Sequence, residues 1–442
     1  MRFSIKEVDF FERQVHLRMP FRFGVVTLTE APQAFVRAKI ALENGKSSVG
    51  GAAELLAPKW FDKNPALSNE NNFEQLRDSM RRARDSYLSE NLNTAYGHSR
   101  SGVGLVENYG PALLDRALLD ALCRALGVSF YQAVRKNLIG LELSPWFLES
   151  LEPRAQIAAR HTVGLVDPIT AQDNTSPVKD GLPETLEEVI ERYGHRWFKL
   201  KVGGDASADV ERLSAIAEVL GRIDEPYHVS LDGNEQYEDA RAVLDLLGRI
   251  NREPRLKRLA ASIVFVEQPI KRQNAFKDEM RADLSALARE KPVIIDESDD
   301  SLDAFPRAKA LGYRGVSSKT CKGLYKSLRN AERCKEWGQG YFMTGEDLTI
   351  QAGLALQQDL ALVSLLGLSH VERNGHHYVN GMAGLPAHEQ QEFHERHDDL
   401  YEHSHGAVRL RIQGGMIQMK SLDCPGYASR VMPDWQAMRR MP

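Results

Sequence analysis

WFKLKVGG (residues 197–204), VSLDGNE (229–235), VFVEQP (264–269), VIIDES (293–298) and VSSKTCKG (316–323) decide the fold. Each is a short apolar run ending on an acid or a lysine, and they recur roughly 30 residues apart, the length of a strand–helix unit. QIAARHTVG precedes the set, and YFMTG and SHVE follow it. Amphipathic stretches such as PETLEEVIERYG, DARAVLDLLGRI and SLRNAERCKEWG lie between the runs. Eight strands separated by helices favour a closed parallel barrel. An open doubly wound sheet is the alternative, but no phosphate-binding G-x-G-x-x-G turn is present. A barrel gathers the C-terminal ends of its strands around one mouth, where chemistry is normally found.

The chain is longer than one barrel needs, at 442 residues. Residues 1–150 read as a separate α+β unit. FSIKEVDFFERQVHL and EAPQAFVRAKIALENGK alternate as antiparallel strands, with Asn44-Gly45 as a hairpin-type turn. NNFEQLRDSMRRARDSYL and PALLDRALLDALCRALG read as helices, the second ending at Gly127. The barrel then occupies 151–404. In 405–442 the strand-like AVRLRIQGGMIQM is expected to return to the first domain. A net charge of −4 and 27% charged residues describe an ordinary globular protein. They give no basic footprint for nucleic acid or an anionic membrane. The most apolar long stretch, 354–368, carries Gln357, Gln358 and Asp359; it reads as a buried helix, not a membrane span. The N-terminal residues alternate as a strand does and do not read as a leader. The four cysteines have no metal-type pair spacing. These features together favour a reducing cytoplasm.

Asp232, Glu267 and Asp296 end three consecutive strands. Alone, each reads equally as a helix cap or turn residue. In register, three oxygen ligands suit Mg²⁺ better than Zn²⁺, which prefers histidine and cysteine. Asn234 and Glu297 are candidate partners of those ligands. Lys199 and Lys201 are two apart and share a strand face; mutual repulsion and burial are expected to lower their pKa toward a useful base. The plainer reading is a solvated face. Lys319 ends the sixth strand, as a catalytic group or an ion-pair partner, and Lys322 beyond it reads as solvated. Glu346 with Asp347 on the seventh strand and Glu372 on the eighth are candidate substrate contacts or hydrogen-bond partners. The late histidines, from His370 to His405, read as a solvated loop, whereas His161 on the first strand is a pocket candidate. Arg22 and Trp60, in MPFRFGVVTLTE and ELLAPKWF, belong to loops of the first domain that would select substrate if they close over the mouth.

The ordered set K-x-K, D-x-N, E-Q-P, D-E-S and a sixth-strand lysine resembles the enolase superfamily, specifically its muconate-lactonizing-enzyme subgroup, over nearly the whole chain. DRALLDALCRALGVSFYQAV and IQGGMIQMKSLDCPGY are similar to that family's capping-domain helix and C-terminal ending. The resemblance implies an α/β fold, a modified (β/α)₇β TIM-type barrel, with an α+β N-terminal capping domain completed by the C-terminal segment. It implies Mg²⁺ on Asp232, Glu267 and Asp296, acid/base catalysis by Lys201 and Lys319 on opposite substrate faces, and Lys199 as a modulator. It also implies a small-molecule carboxylate substrate and a homo-oligomer. Extra sequence near 66–100, 165–182 and 375–400 departs from the subgroup and would shape the pocket.

The reaction expected is abstraction of a proton α to a carboxylate through an enediolate, as a racemase or epimerase, with a dehydratase or cycloisomerase as alternatives on the same site. A barrel glycosidase using Glu267 and Glu346 lacks the usual asparagine before the first glutamate, where Val266 stands, and gives the lysines no role. A Schiff-base lyase would use Lys201 or Lys319 as nucleophile but leaves the three carboxylates unexplained. A metal-binding scaffold with decayed catalysis is at odds with the intact acid and lysine set.

Overall fold

The computed structural model describes residues 1–24 and 26–441. Three antiparallel strands open the chain: β1 (Phe3–Phe23), β2 (Val26–Leu42) and β3 (Ser47–Leu55). Pairing of β1 with β2 begins at Phe3↔Leu42, shifts between His16 and Phe21, and resumes as Phe21↔Leu28. The hairpin is thus long enough to carry Phe21, Phe23 and Leu28 beyond its own core to the barrel mouth. Gly45 closes the β2–β3 turn with φ +83°, as the Asn-Gly pair demands.

Helix α1 (Asn69–Tyr87) starts at a Ser68–Asn71 capping box. The helix Leu105–Leu126 is almost entirely buried and ends at Gly127 in the left-handed region. It lies so close to β3 that a Cβ on Gly50 would stand 2.2 Å from the Ala121 nitrogen. Its polar residues are all committed: Arg116 pairs with Glu54 at 3.0 Å, and Asp120 accepts from the Gly51 and Tyr427 backbone N–H groups. The second of these ties the C-terminal segment to the first domain.

Eight parallel strands close into a barrel: Gln156–Val163, Trp197–Lys201, His228–Asp232, Ile263–Glu267, Val293–Ile295, Gly315–Ser318, Phe342–Gly345 and His370–Arg373. The eighth meets the first from His370↔Ala158 to Arg373↔His161. Side chains alternate in and out. Trp197, Lys199 and Lys201 share one face of the second strand. Trp197 stacks on His370 at 3.9 Å, and Phe265 lies near His370 and Phe342, so aromatic rings fill the floor. The charged residues form the layers above, and the helices bury the outer faces of the strands.

The run AVRLRIQGGMIQM does not join the first sheet. Ala407–Leu410 pairs with Tyr401–Ser404, and Met416–Gln418 runs antiparallel to the first barrel strand. Arg439–Arg440 reach the first sheet instead, opposite Phe11 and Glu12 of β1. Among the described residues no helix is long and apolar enough to cross a membrane.

Candidate active site

The strand-end residues sit where they do because the turns after them are cross-braced. Gln268 follows Glu267 with φ +31°, a conformation that persists only where surroundings enforce it. Its side-chain oxygen accepts from the Asp296 and Ser298 N–H groups at 2.8 and 3.1 Å, and its amide donates to Ile270 O and Ser298 Oγ. One side chain therefore fixes the fourth and fifth strand ends together. Asn234 and Glu235 also have positive φ. A Cβ on the preceding Gly233 would meet Pro269 Cα at 2.6 Å, which explains the D-G-N sequence.

Lys199 is the hub. Its Nζ lies 2.8 Å from Glu267 Oε1, 2.8 Å from Glu346 Oε2, and 3.0 Å from both Asp232 Oδ2 and Glu372 Oε2. Burial opposes its charge, but the four carboxylates prevail and hold its pKa well above the ordinary lysine value. This reverses the expectation from the K-x-K pair, because the carboxylates outweigh the neighbouring ammonium. Lys201 Nζ donates to Asp232 Oδ2 and Asn234 Oδ1, each at 2.6 Å. Across the barrel, Lys319 Nζ donates to Asp296 Oδ2 at 2.7 Å and stands 4.2 Å above the Trp60 ring. Burial disfavours its charge too, yet Asp296 raises its pKa. Lys322 is not solvated: it is buried against Asp296, Asp299 and Ser317. Burial would raise the Asp296 carboxyl, but Lys319 and Lys322 hold it well below the usual range.

Glu346 is fully buried and bound to Arg160, Lys199 and Thr344. Burial notwithstanding, Arg160 and Lys199 hold its pKa below the ordinary glutamate range. Glu372 accepts from Thr162 Oγ1, Lys199 and the Asp347 N–H. Glu297 Oε1 accepts from Lys63 at 3.1 Å and Asn234 at 3.3 Å.

Lys199, Lys201, Asp232, Asn234, Lys319 and Glu372 line one narrow cavity of about 30 Å³. Its other wall is apolar and comes from the first domain: Phe21, Phe23, Leu28, Ala57 and Trp60. Six sequence-derived candidates do not line this cavity: Glu267, Asp296, Glu297 and Glu346 bond residues that do, whereas Arg22 and His161 stand apart from it. Arg22 is exposed, and His161 points out of the barrel, since Arg160 and Thr162 on either side point in. The late histidines are only partly solvated; His377 and His397 are buried, as are the ring nitrogens of His376.

Arg272 and Lys63, at the mouth, carry no sequence signal. Arg272 donates to Phe61 O at 2.9 Å and Trp60 O at 3.0 Å while paired with Glu235. Lys63 bonds Glu235, Glu297 and Asn234 O. Together they clamp the Trp60 loop onto the barrel. Asp347 accepts from the Asn374 and Gly375 N–H groups and fixes the turn after the eighth strand.

The donor set fits a hard cation. Asp232, Glu267 and Asp296 offer oxygen alone, and Glu267 Oε2 is buried without a hydrogen-bond partner. Burial, then the Asp232 and Glu346 charges, push the Glu267 carboxyl well above its ordinary pKa. That marks a site with negative charge to spare. The three carboxylates do not converge on one point by themselves, because lysines draw Asp232 and Glu267 to one side and Asp296 to another.

Residues 181–435 match the family model described as Enolase C-terminal domain-like. No curated protein sequence matches the chain. Solved structures share the fold over nearly full length. The dipeptide epimerase from Enterococcus faecalis, complexed with Mg and L-Leu-L-Tyr, is 14% identical with a TM-score of 0.64 over 96% of this chain and 99% of its own. Muconate lactonizing enzyme from Mycobacterium smegmatis, complexed with muconolactone, is 18% identical with a TM-score of 0.63 over 100% of both chains. The L-Ala-D/L-Glu epimerase from Bacillus subtilis is 15% identical with a TM-score of 0.62 over 96% and 98%.

Proposed function

Because the chain belongs to the Enolase C-terminal domain-like family, we propose that it is a Mg²⁺-dependent racemase or epimerase that removes the proton α to a substrate carboxylate. The observation that carries this reading is the pair Lys201 and Lys319. They stand on the second and sixth strands, four apart in a ring of eight and therefore opposite, and both line the same cavity.

Asp232, Glu267 and Asp296 would hold the ion, which when bound stabilises the second negative charge that develops as a carboxylate becomes an enediolate. Asp232 and Asp296 each bind a catalytic lysine in this structure. Carboxylates taken up as ligands would release those side chains toward the cavity. One lysine then accepts the α-proton as the C–H bond breaks, and the other donates a proton to the opposite face, inverting the centre. Lys199, with Glu346 and Glu372 behind it, keeps a positive charge beside the reacting carboxylate. Trp60 and the Phe21–Leu28 tip exclude water and present apolar surface to the rest of the substrate. The same enediolate can instead expel a β-substituent or reopen a ring, giving a dehydratase or cycloisomerase.

The same reading divides the chain into a capping domain (1–150), a barrel (151–404) and a C-terminal segment (405–442), in a homo-oligomer. The test is solvent-deuterium exchange. Mg²⁺-loaded protein in D₂O is given dipeptides, acid sugars and aromatic acids, and each α-proton is followed by NMR. Exchange with inversion that requires Mg²⁺ is expected, and should vanish in Lys201→Ala and in Lys319→Ala while Mg²⁺ still binds. Full activity in either variant would overturn the two-base mechanism. Product formation without inversion would select elimination or cyclisation.

A further inference from the structure

Outside the barrel wall lies a second cluster of ligand-type side chains. His161 projects outward from the first strand, His195 precedes the second strand, and His376 sits in the short helix Gly375–Tyr378 after the eighth. One ring nitrogen from each lies within 4.8 Å of the other two. We propose that these three histidines form a transition-metal site, separate from the carboxylates, that takes Zn²⁺ or a dication of similar preference.

Three observations support it. First, His195 Nδ1 lies 3.0 Å from Ala159 O. The N–H donates there and leaves Nε2 as a free lone pair. A backbone carbonyl fixing the far nitrogen is the usual support of a metal-bound imidazole. Second, His161 Nδ1, His195 Nε2 and both His376 nitrogens are buried with no hydrogen-bond partner. Leaving so many polar atoms unsatisfied at one place is costly, and a shared cation takes up one nitrogen of each ring. Third, the donors are nitrogen throughout, which suits Zn²⁺ and not Mg²⁺. Burial also favours the neutral form a metal requires: it lowers His195 to about 4 and holds His161 and His376 well below the ordinary histidine value.

The geometry needs little change. Bonds of about 2.0–2.1 Å at tetrahedral angles put donors roughly 3.4 Å apart, so from separations within 4.8 Å the rings must close by up to about 1.4 Å. The His377 ring packs edge-on against His161 at 5.0 Å and screens one side. The fourth position falls to solvent beside His376, the partly exposed member.

Such an ion would tie three elements at one point. The helix it holds follows Asn374, which lines the cavity, and ends at Tyr378, which stacks on Phe21 at 4.3 Å. The site therefore braces the cavity wall built by the eighth-strand turn and the β1–β2 tip.

The experiment uses the full chain, stripped with a chelator and then saturated with Mg²⁺ to occupy the carboxylates. Zn²⁺ is titrated by calorimetry, and Co²⁺ by visible absorption. One equivalent of Zn²⁺ per chain is expected in the presence of excess Mg²⁺. Co²⁺ should give the intense bands of a tetrahedral nitrogen-rich site. His195→Gln and His376→Gln should each weaken Zn²⁺ at least tenfold. His376 lies at the edge of the cluster, so its variant is the one expected to fold, and the Co²⁺ spectrum of the unmutated protein needs no variant. Three results overturn the proposal: the weak spectrum of octahedral Co²⁺, displacement of Zn²⁺ by Mg²⁺, or unchanged Zn²⁺ affinity in a folded His376→Gln protein.

Discussion

Lys199→Met tests the hub directly. The substitution keeps much of the side chain's volume, so the packing loss is small. The cost depends on what each carboxylate has left. Asp232 retains Lys201, Glu346 retains Arg160, and Glu372 retains Thr162 and the Asp347 N–H. Glu267 retains nothing: Lys199 is the partner of Oε1, and Oε2 has none. The loss is therefore that of one broken buried ion pair, about 3–5 kcal/mol, and not four. Chemical denaturation of metal-free protein reads it. Two consequences follow. In a Glu267→Gln background Lys199→Met should cost much less, so the double-mutant cycle should show coupling of about 2 kcal/mol or more. Mg²⁺ should also bind the variant more tightly, since an ammonium no longer competes for Asp232 and Glu267; at one hundred times its Kd it would restore about 2.7 kcal/mol. A metal-free loss below about 1 kcal/mol, or weaker Mg²⁺ binding in the variant, would refute this account of the hub.

Other positions give independent tests. Arg272→Ala frees the backbone carbonyls of Trp60 and Phe61 and should raise KM at least tenfold with a smaller change in kcat; an unchanged KM would show that the Trp60 loop needs no clamp. Trp60→Leu removes the ring beneath Lys319, a contact of about 0.5–2 kcal/mol, and should lower kcat/KM by about three- to thirtyfold in the exchange assay. His397, packed between Ser421 and the Arg430 N–H, is lowered by burial to about 4. The unfolded chain takes up this proton below about 6.5 and the folded chain only below about 4. Stability is therefore lost as pH falls through that window, by about 3 kcal/mol for this group. His397→Gln should flatten that part of the stability profile measured by urea denaturation.

The barrel and the charged layer at its mouth were legible because both obey local rules. A strand's period of two puts Lys199 and Lys201 on one face, and a parallel barrel puts strand ends together, so residues 30 apart in sequence can be read as neighbours. What was not legible lacks such a rule. Lys63 and Arg272 act by bridging two domains, and nothing in FDKNPALSNE or PIKRQ reveals the distance between them. The sequence misleads on Lys199 because K-x-K shows two cations but hides the carboxylates of Glu346 and Glu372, which arrive 147 and 173 residues later. His161 was assigned to the pocket by its strand, whereas its neighbours Arg160 and Thr162 take the inward positions. The phase of a strand is set by what its partners require, and a short run such as QIAARHTVG has polar residues on both faces, Arg160 and Thr162 on one and His161 on the other.

The arrangement of charge itself argues for a function beyond stability. Buried ion pairs are poor stabilisers, since desolvation consumes most of their attraction. Here each carboxylate proposed for the ion is bound by lysine: Asp232 by Lys201 and Lys199, Glu267 by Lys199, Asp296 by Lys319 and Lys322. A scaffold selected for rigidity would gain as much from apolar packing. A site that must exchange an ammonium for a divalent ion, and then use the displaced ammonium on its substrate, needs carboxylates already bound to lysine, with one oxygen of Glu267 left unpaired to begin the exchange.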